Sequence, residues 1–121
     1  MALEDISTVA IVEDMLPPAT FHILLALADE DRHGYAIIQD VARRTDGEVR
    51  LTASTLYAAV KRLLDSGWIE ERRQRPRPGD DARRRYYRLT PRGRLAARTE
   101  ALRIERLAGM ARSKQLIGAR R

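Results

Sequence analysis

Residues 72–87 read RRQRPRPGDDARRRYY, with seven arginines, two aspartates, two prolines and one glycine, closed by Tyr86 and Tyr87. Proline, glycine and aspartate are turn chemistry. Before this stretch, WIEERRQ (68–74) begins on the apolar pair Trp68 and Ile69. After it, in RRYYRLT (84–90), Tyr87 and Leu89 alternate with Arg85, Tyr86 and Arg88. Period-two alternation on either side of a turn predicts a β-hairpin. Its tip carries arginines on both flanks. One of the two tyrosines is expected to pack inward and the other to face out.

Upstream, LTASTLYAAVKRLLDSG (51–67) predicts a helix. Thr52 suits the N-cap, and Gly67 suits the stop. Leu56, Val60, Leu63 and Leu64 fall on one face at helical spacing. The opposite face collects Ser54, Ala58, Lys61, Arg62 and Asp65, with Thr55 and Tyr57 at its margins. That face is small, hydroxylated and basic. Ile37, Ile38 and Val41 give the buried stripe of a preceding helix, about His33–Thr45, with Gly34 on the same side and Tyr35 toward the polar side. Pro18 opens an earlier helix over 18–29, in which Phe21, Leu24, Leu25 and Ala28 recur at i, i+3, i+4 and i+7. A short helix is also expected within 3–15.

Downstream, Thr90-Pro91 pairs a threonine N-cap with proline at the first helical position. The helix it opens should run from about Pro91 to at least Arg112, with two apolar stripes. One holds Leu95 and Leu102, with Leu116 further along. The other holds Ala97, Ala101, Ile104, Leu107, Ala108 and Ala111. Two apolar faces need two covering surfaces, and a second copy of the chain supplies one through a small-residue seam. The expected organisation is an N-terminal extension over 1–16, a winged helix-turn-helix domain over 17–90, and a dimerisation helix and tail over 91–121. The fold class is mainly α, with a two-stranded wing (α+β).

The chain of 121 residues has a net charge of +6 that conceals a division. Residues 1–48 hold ten acids against three arginines, a net −7. Residues 49–121 hold twenty basic residues against seven acids, a net +13. Such segregation directs the basic half toward an anionic partner. Arginine, which outnumbers lysine 21 to 2, suits bidentate contact with phosphate or guanine. Cysteine is absent, which excludes disulfides, thiolate metal sites and thiol catalysis. No apolar run approaches the roughly 20 residues that span a bilayer. No signal-peptide pattern opens the chain, so a cytoplasmic protein is expected. The sequence offers no glycine-rich phosphate loop, nucleophile–base constellation or spaced carboxylate pair. His22 and His33 alone make no metal site. The reading is therefore of a binding protein, with no enzyme activity and no cofactor.

Three helices, a strand, an arginine-rich tip, a strand and a long helix form the order of a winged helix-turn-helix. In that arrangement the third helix enters the major groove and the hairpin lies on adjacent backbone. A ribbon holds its arginines out where the helix cannot reach, and at lower entropic cost than a loose loop.

The segments HGYAIIQDV (33–41), LTASTLYAAVKRLLDSGWIE (51–70) and RRRYYRLTPRGR (83–94) resemble the three signature segments of the PadR family of winged-helix transcriptional regulators. The resemblance spans about residues 18–112. Its motifs are His-Gly-Tyr, Thr-Leu-Tyr and Arg-Tyr-Tyr-x-Leu-Thr-x-x-Gly. Two positions depart from the family pattern: Ser54 stands where glycine is usual, and Ala58 where proline is usual. The resemblance implies a homodimeric repressor that leaves a pseudo-palindromic operator when a small-molecule effector binds, at a pocket near the dimer interface. It implies that Tyr35 and Tyr57 contact the DNA backbone. It also implies that Ser54, Thr55, Lys61 and Arg62, with Thr52 beside them, face the groove, and that Arg72, Arg73, Arg75, Arg77, Arg83, Arg84 and Arg85 form the wing. Trp68 resembles the apolar residue that opens the wing strand. The alternative is a winged module used for protein or RNA contacts without operator specificity.

Overall fold

The computed structural model describes residues 16–72 and 85–119. Among these residues, four helices and one small sheet follow in chain order. They are α1 (Pro18–Ala26), β1 (Arg32–His33), α2 (Gly34–Arg44), α3 (Ala53–Asp65), β2 (Ile69–Arg72), β3 (Tyr86–Leu89) and α4 (Pro91–Ser113). The helix expected within 3–15 and the arginine-rich tip at 73–84 lie outside the described residues.

Helix α1 is apolar nearly all round, and Thr20, Ile23, Leu24 and Ala26 are buried. It stops at Ala26 rather than Asp29. Arg32 Nε donates to the Ala26 carbonyl at 2.7 Å, which satisfies one of the acceptors a helix end leaves open. His33 is the N-cap of α2, not its first residue. Its Nδ1 accepts from the Ala36 backbone N–H at 3.1 Å. His33 and Arg32 also pair with Tyr86 and Tyr87, making a third, two-residue strand. The sheet is antiparallel in the order β1-β3-β2, not two-stranded. Two residues are too short to show alternation, so nothing in the sequence marked β1.

Ile37 and Val41 carry the buried face of α2. Asp40, on the same helix, is also buried. Its Oδ1 accepts from Arg43 at 2.7 Å and lies 3.3 Å from Arg32 Nη2, while Arg44 Nη2 is 2.5 Å from Oδ2. A carboxylate this enclosed stays charged only with such partners. Through Arg32 it ties α2 to the end of α1. The turn between α2 and α3 is made by Asp46 and Gly47, both at positive φ.

Leu56, Ala59, Val60 and Leu63 of α3 complete a core with Ile23, Leu24, Ile37, Val41, Ile69, Tyr87 and Leu89. Gly67, at φ +74°, turns the chain from α3 into β2, and the Trp68 N–H returns to the Leu63 carbonyl at 3.0 Å. Helix α4 is clamped where it begins. Thr90 Oγ1 accepts from the Gly93 N–H at 3.0 Å and donates to the Gly67 carbonyl at 2.6 Å. The Thr90 N–H donates to the Trp68 carbonyl at 3.0 Å. That carbonyl presses on Gly93 so closely that a Cβ there would stand 1.9 Å from it.

Candidate nucleic-acid interface

Helix α3 presents two chemically opposite faces. With Leu56, Ala59, Val60 and Leu63 turned inward, Ser54, Thr55, Tyr57, Ala58, Lys61 and Arg62 are exposed. Thr52 is exposed too, but its hydroxyl is engaged as the helix cap. It accepts from the Thr55 N–H at 3.1 Å and donates to Thr55 Oγ1 at 3.0 Å. Thr52 therefore shapes the first turn of α3, and Ser54 and Thr55 are its outward hydroxyls. Lys61 Nζ lies 3.4 Å from Asp65 Oδ2, whereas Arg62 has no ion-pair partner among the described residues. Tyr35, on the first turn of α2, is 55% exposed. The Tyr57 ring lies over Gly34, where an added Cβ would stand 2.5 Å from its hydroxyl. Glycine in His-Gly-Tyr thus makes room for the tyrosine of Thr-Leu-Tyr.

The base of the wing packs against α3. Tyr87 of β3 is buried, and its phenol is held above its ordinary range first by that burial, then by Tyr57 and Glu71, with Arg85 opposing. Those influences place Tyr57 of α3, Tyr87, Glu71 and Arg85 in one neighbourhood. Helix α3 packs against β2, with Tyr57 at the margin of its exposed face near Tyr87. Tyr86 stacks edge-on against His33, with ring centroids 5.3 Å apart. So Tyr87 packs inward and Tyr86 braces the cap of α2.

The arginines at the wing base are not free charges. Arg85 Nη1 donates to Glu71 Oε1 at 3.0 Å. Arg72 Nε lies 3.5 Å from Asp31 Oδ2. Arg88, opposite Glu70 in the register, reaches it at 2.6 Å. Reading the sequence missed Asp31, Glu70 and Glu71 as partners. The hairpin's alternation hinted at Glu70–Arg88, but Asp31–Arg72 depends on the third strand. Arg73, Arg75, Arg77, Arg83 and Arg84 lie outside the described residues.

Helix α4 turns Gly93, Ala97 and Glu100 toward its own domain, where Ala97 packs against the core. Ala97 is thus half-buried against its own protomer. Glu100 is held below its usual carboxyl range by the hydrogen bonds from Arg103, at 2.9 and 2.5 Å. Leu95, Leu102, Ile104, Leu107 and Met110 are exposed, Leu95 by 65%. Ala101 is exposed and Ala108 and Ala111 half-buried. Beside Leu95 an open cavity of about 390 Å³ is lined by Leu16, Trp68, Arg92, Ala96, Thr99 and Glu100. Trp68 therefore both packs on the core and walls this cavity. Among the described residues no helix is long and apolar enough to cross a membrane.

Residues 23–99 match the model of the transcriptional regulator PadR-like family. A protein of Lysinibacillus sphaericus is 35% identical over 72 residues, which span 60% of this chain but only 64% of that protein. A transcriptional regulator of Mycobacterium tuberculosis is 34% identical over 87 residues, 72% of this chain and 76% of its own. Among solved structures, Bacillus subtilis PadR in complex with operator DNA superposes with a TM-score of 0.59 at 23% identity, covering 69% of this chain and 46% of that one.

Proposed function

From the premise that the chain belongs to the PadR-like family of transcriptional regulators, we propose that it is a repressor binding operator DNA as a two-fold dimer. Residues 17–90 would contact DNA and residues 91–121 would pair the protomers. Ser54, Thr55, Lys61 and Arg62 on α3 read base edges in the major groove. Tyr35 and Tyr57 contact the backbone beside it, and the wing arginines contact phosphates further along. The observation that carries this reading is the exposed, hydroxylated and basic face of α3, with Ser54, Thr55, Lys61 and Arg62, on a helix against which the first strand of the wing packs. The B. subtilis PadR structure on operator DNA lends it support from a protein of similar fold.

The second copy covers the apolar surface left on α4, chiefly Leu95, Leu102, Leu107 and Met110. Two protomers joined there present two α3 helices to half-sites about 34 Å apart on one face of the duplex. The cavity between Trp68 and α4 adjoins this seam, and a small-molecule effector held there would reposition the two reading helices. In this reading the protein acts by binding and release, in the cytoplasm where operators are, and makes and breaks no covalent bond.

Titration into labelled duplex from upstream of its own gene, at 50 to 200 mM salt, tests the proposal. Binding should favour that fragment over random duplex. It should also weaken with salt by a slope of about −0.9 per phosphate contacted. Equal affinity for both duplexes would end the operator reading. A thermal-shift screen of aromatic and cationic compounds, with Ala96→Trp to fill the cavity, tests the effector site. Shifts that survive the tryptophan would exclude this cavity.

A further inference from the structure

Two ion pairs cross the base of the wing, and they lie on opposite faces of it. Cross-strand neighbours share a face of a sheet. Glu70 stands opposite Arg88, and Glu71 opposite Tyr87. Tyr87 points inward, so Glu71 continues the inner face past the end of the core, toward Tyr57 of α3. The Glu71–Arg85 pair therefore lies on the face of the ribbon turned toward α3, which packs against β2, and Glu70–Arg88 on the other.

On a surface that meets phosphates, a carboxylate opposes binding in two ways. It repels the phosphate directly, and it holds a guanidinium that would otherwise neutralise one. Arg85 and Glu71 are both well exposed, at 71% and 44% of their side-chain surfaces, so water and salt screen the pair and it contributes little to folding. Its position matters more than its strength.

We propose that Glu71 is a built-in brake on DNA binding, holding Arg85 in an intramolecular pair and lowering the affinity for every duplex sequence alike. This rests on the DNA-binding reading above. Because phosphate contacts carry no sequence information, the brake scales operator and non-operator binding by one factor. It sets how easily the protein leaves DNA, while the α3 side chains set where it binds.

The experiment compares Glu71→Gln and Glu70→Gln in the full chain, each titrated against operator fragment and random duplex at 50, 100 and 200 mM salt. Each variant raises the net charge by one, but only Glu71→Gln frees an arginine on the α3 side. Glu71→Gln should bind both duplexes more tightly, by about tenfold at 50 mM, and should steepen the salt slope by about 0.9. Its advantage over wild type should grow roughly three- to fourfold between 200 and 50 mM. Glu70→Gln should keep the wild-type slope. Unchanged or weaker binding by Glu71→Gln, with its melting temperature intact, would overturn the proposal. So would equal steepening in Glu70→Gln, since net charge alone would then explain the effect. Wild-type protein that binds no duplex would instead bring down the DNA reading, and this one with it.

Discussion

Gly93→Ala should be among the most damaging single-methyl additions in the chain. Gly93 is the third residue of α4, where alanine would ordinarily be preferred to glycine by about 1 kcal/mol. Here a Cβ would stand 1.9 Å from the Trp68 carbonyl oxygen, 2.8 Å from its carbon and 2.9 Å from Leu89 Cδ1. An ordinary carbon–oxygen contact is about 3.3 Å, so the first turn of α4 must retreat by about 1.4 Å. No rotamer change relieves this, because the obstacle is backbone. Retreat stretches the Thr90 N–H bond to the Trp68 carbonyl and the Thr90 hydroxyl bond to Gly67. Overpacking costs about 1–3 kcal/mol, and the strained hydrogen bonds add about 1 kcal/mol each. Less the helix preference, the net is about 2–4 kcal/mol. For a chain of this size each kcal/mol moves the melting temperature by roughly 4 °C, giving a fall of about 8–16 °C by circular dichroism at 222 nm. Thr90→Ala, which loses the two hydroxyl bonds of the clamp but keeps its N–H bond to Trp68 and makes no clash, should cost about 1–2 kcal/mol. Since the two changes share contacts, the double variant should lose less than the sum. A Gly93→Ala protein melting within about 2 °C of wild type would refute the reasoning, because α4 would then have to be free to move off the wing.

Other outcomes follow from the same contacts. Asp40→Asn removes the buried carboxylate shared by Arg32, Arg43 and Arg44 and should cost about 2–3 kcal/mol in urea unfolding, less than a fully buried pair because Arg32 keeps Asp29 and Glu30 and because Arg43 and Arg44 can turn to water. Leu102→Glu should convert a dimer to a folded monomer by sedimentation velocity, with the melting transition retained, since Leu102 is exposed in the protomer. Ser54→Gly, toward the residue usual in the family, should shift the preferred sequence in a selection from random duplex without altering the salt slope. Glu100, held below its ordinary carboxyl value of 4.5 by Arg103, contributes stability above that pH and loses it as pH falls through its lower folded value. The stability gap between wild type and Glu100→Gln should therefore be constant above about pH 5 and close in more acidic buffer.

Leu56, Val60 and Leu63 announced the inward face of α3 because helical spacing is a local property, and Thr52 and Gly67 marked its two ends, and Thr90 the start of α4, by local turn chemistry. What the sequence withheld depends on which segments meet. Arg32 and His33 look like part of a loop until Tyr86 and Tyr87 arrive from more than fifty residues away to pair with them. Gly93 reads as a mild helix defect until the Trp68 carbonyl is set against it. Ala97 shares a stripe with Ala101 and Ile104, yet Ala97 is half-buried against its own domain while those two are exposed, because the stripe extends beyond the surface the domain offers.

The same distinction alters how the charge of the chain is understood. Read along the sequence, the acids of the first half oppose the arginines of the second as two separate fields. In the fold, Asp31 is beside Arg72, Glu70 beside Arg88 and Glu71 beside Arg85, while Asp40 gathers three arginines of its own half. Among the described residues, Asp31 and Asp40 of the acidic half and Glu70 and Glu71 of the basic half are thus internal partners to arginine. Of the described arginines nearest the face of α3, Arg50, just before it, and Arg62, on it, have no carboxylate within 4 Å, whereas Arg72, Arg85 and Arg88 at the wing base each have one. Counting arginines in the hairpin therefore overstates the phosphates it can neutralise. The measured salt slope should fall short of that count by roughly one unit for each pair that survives on DNA.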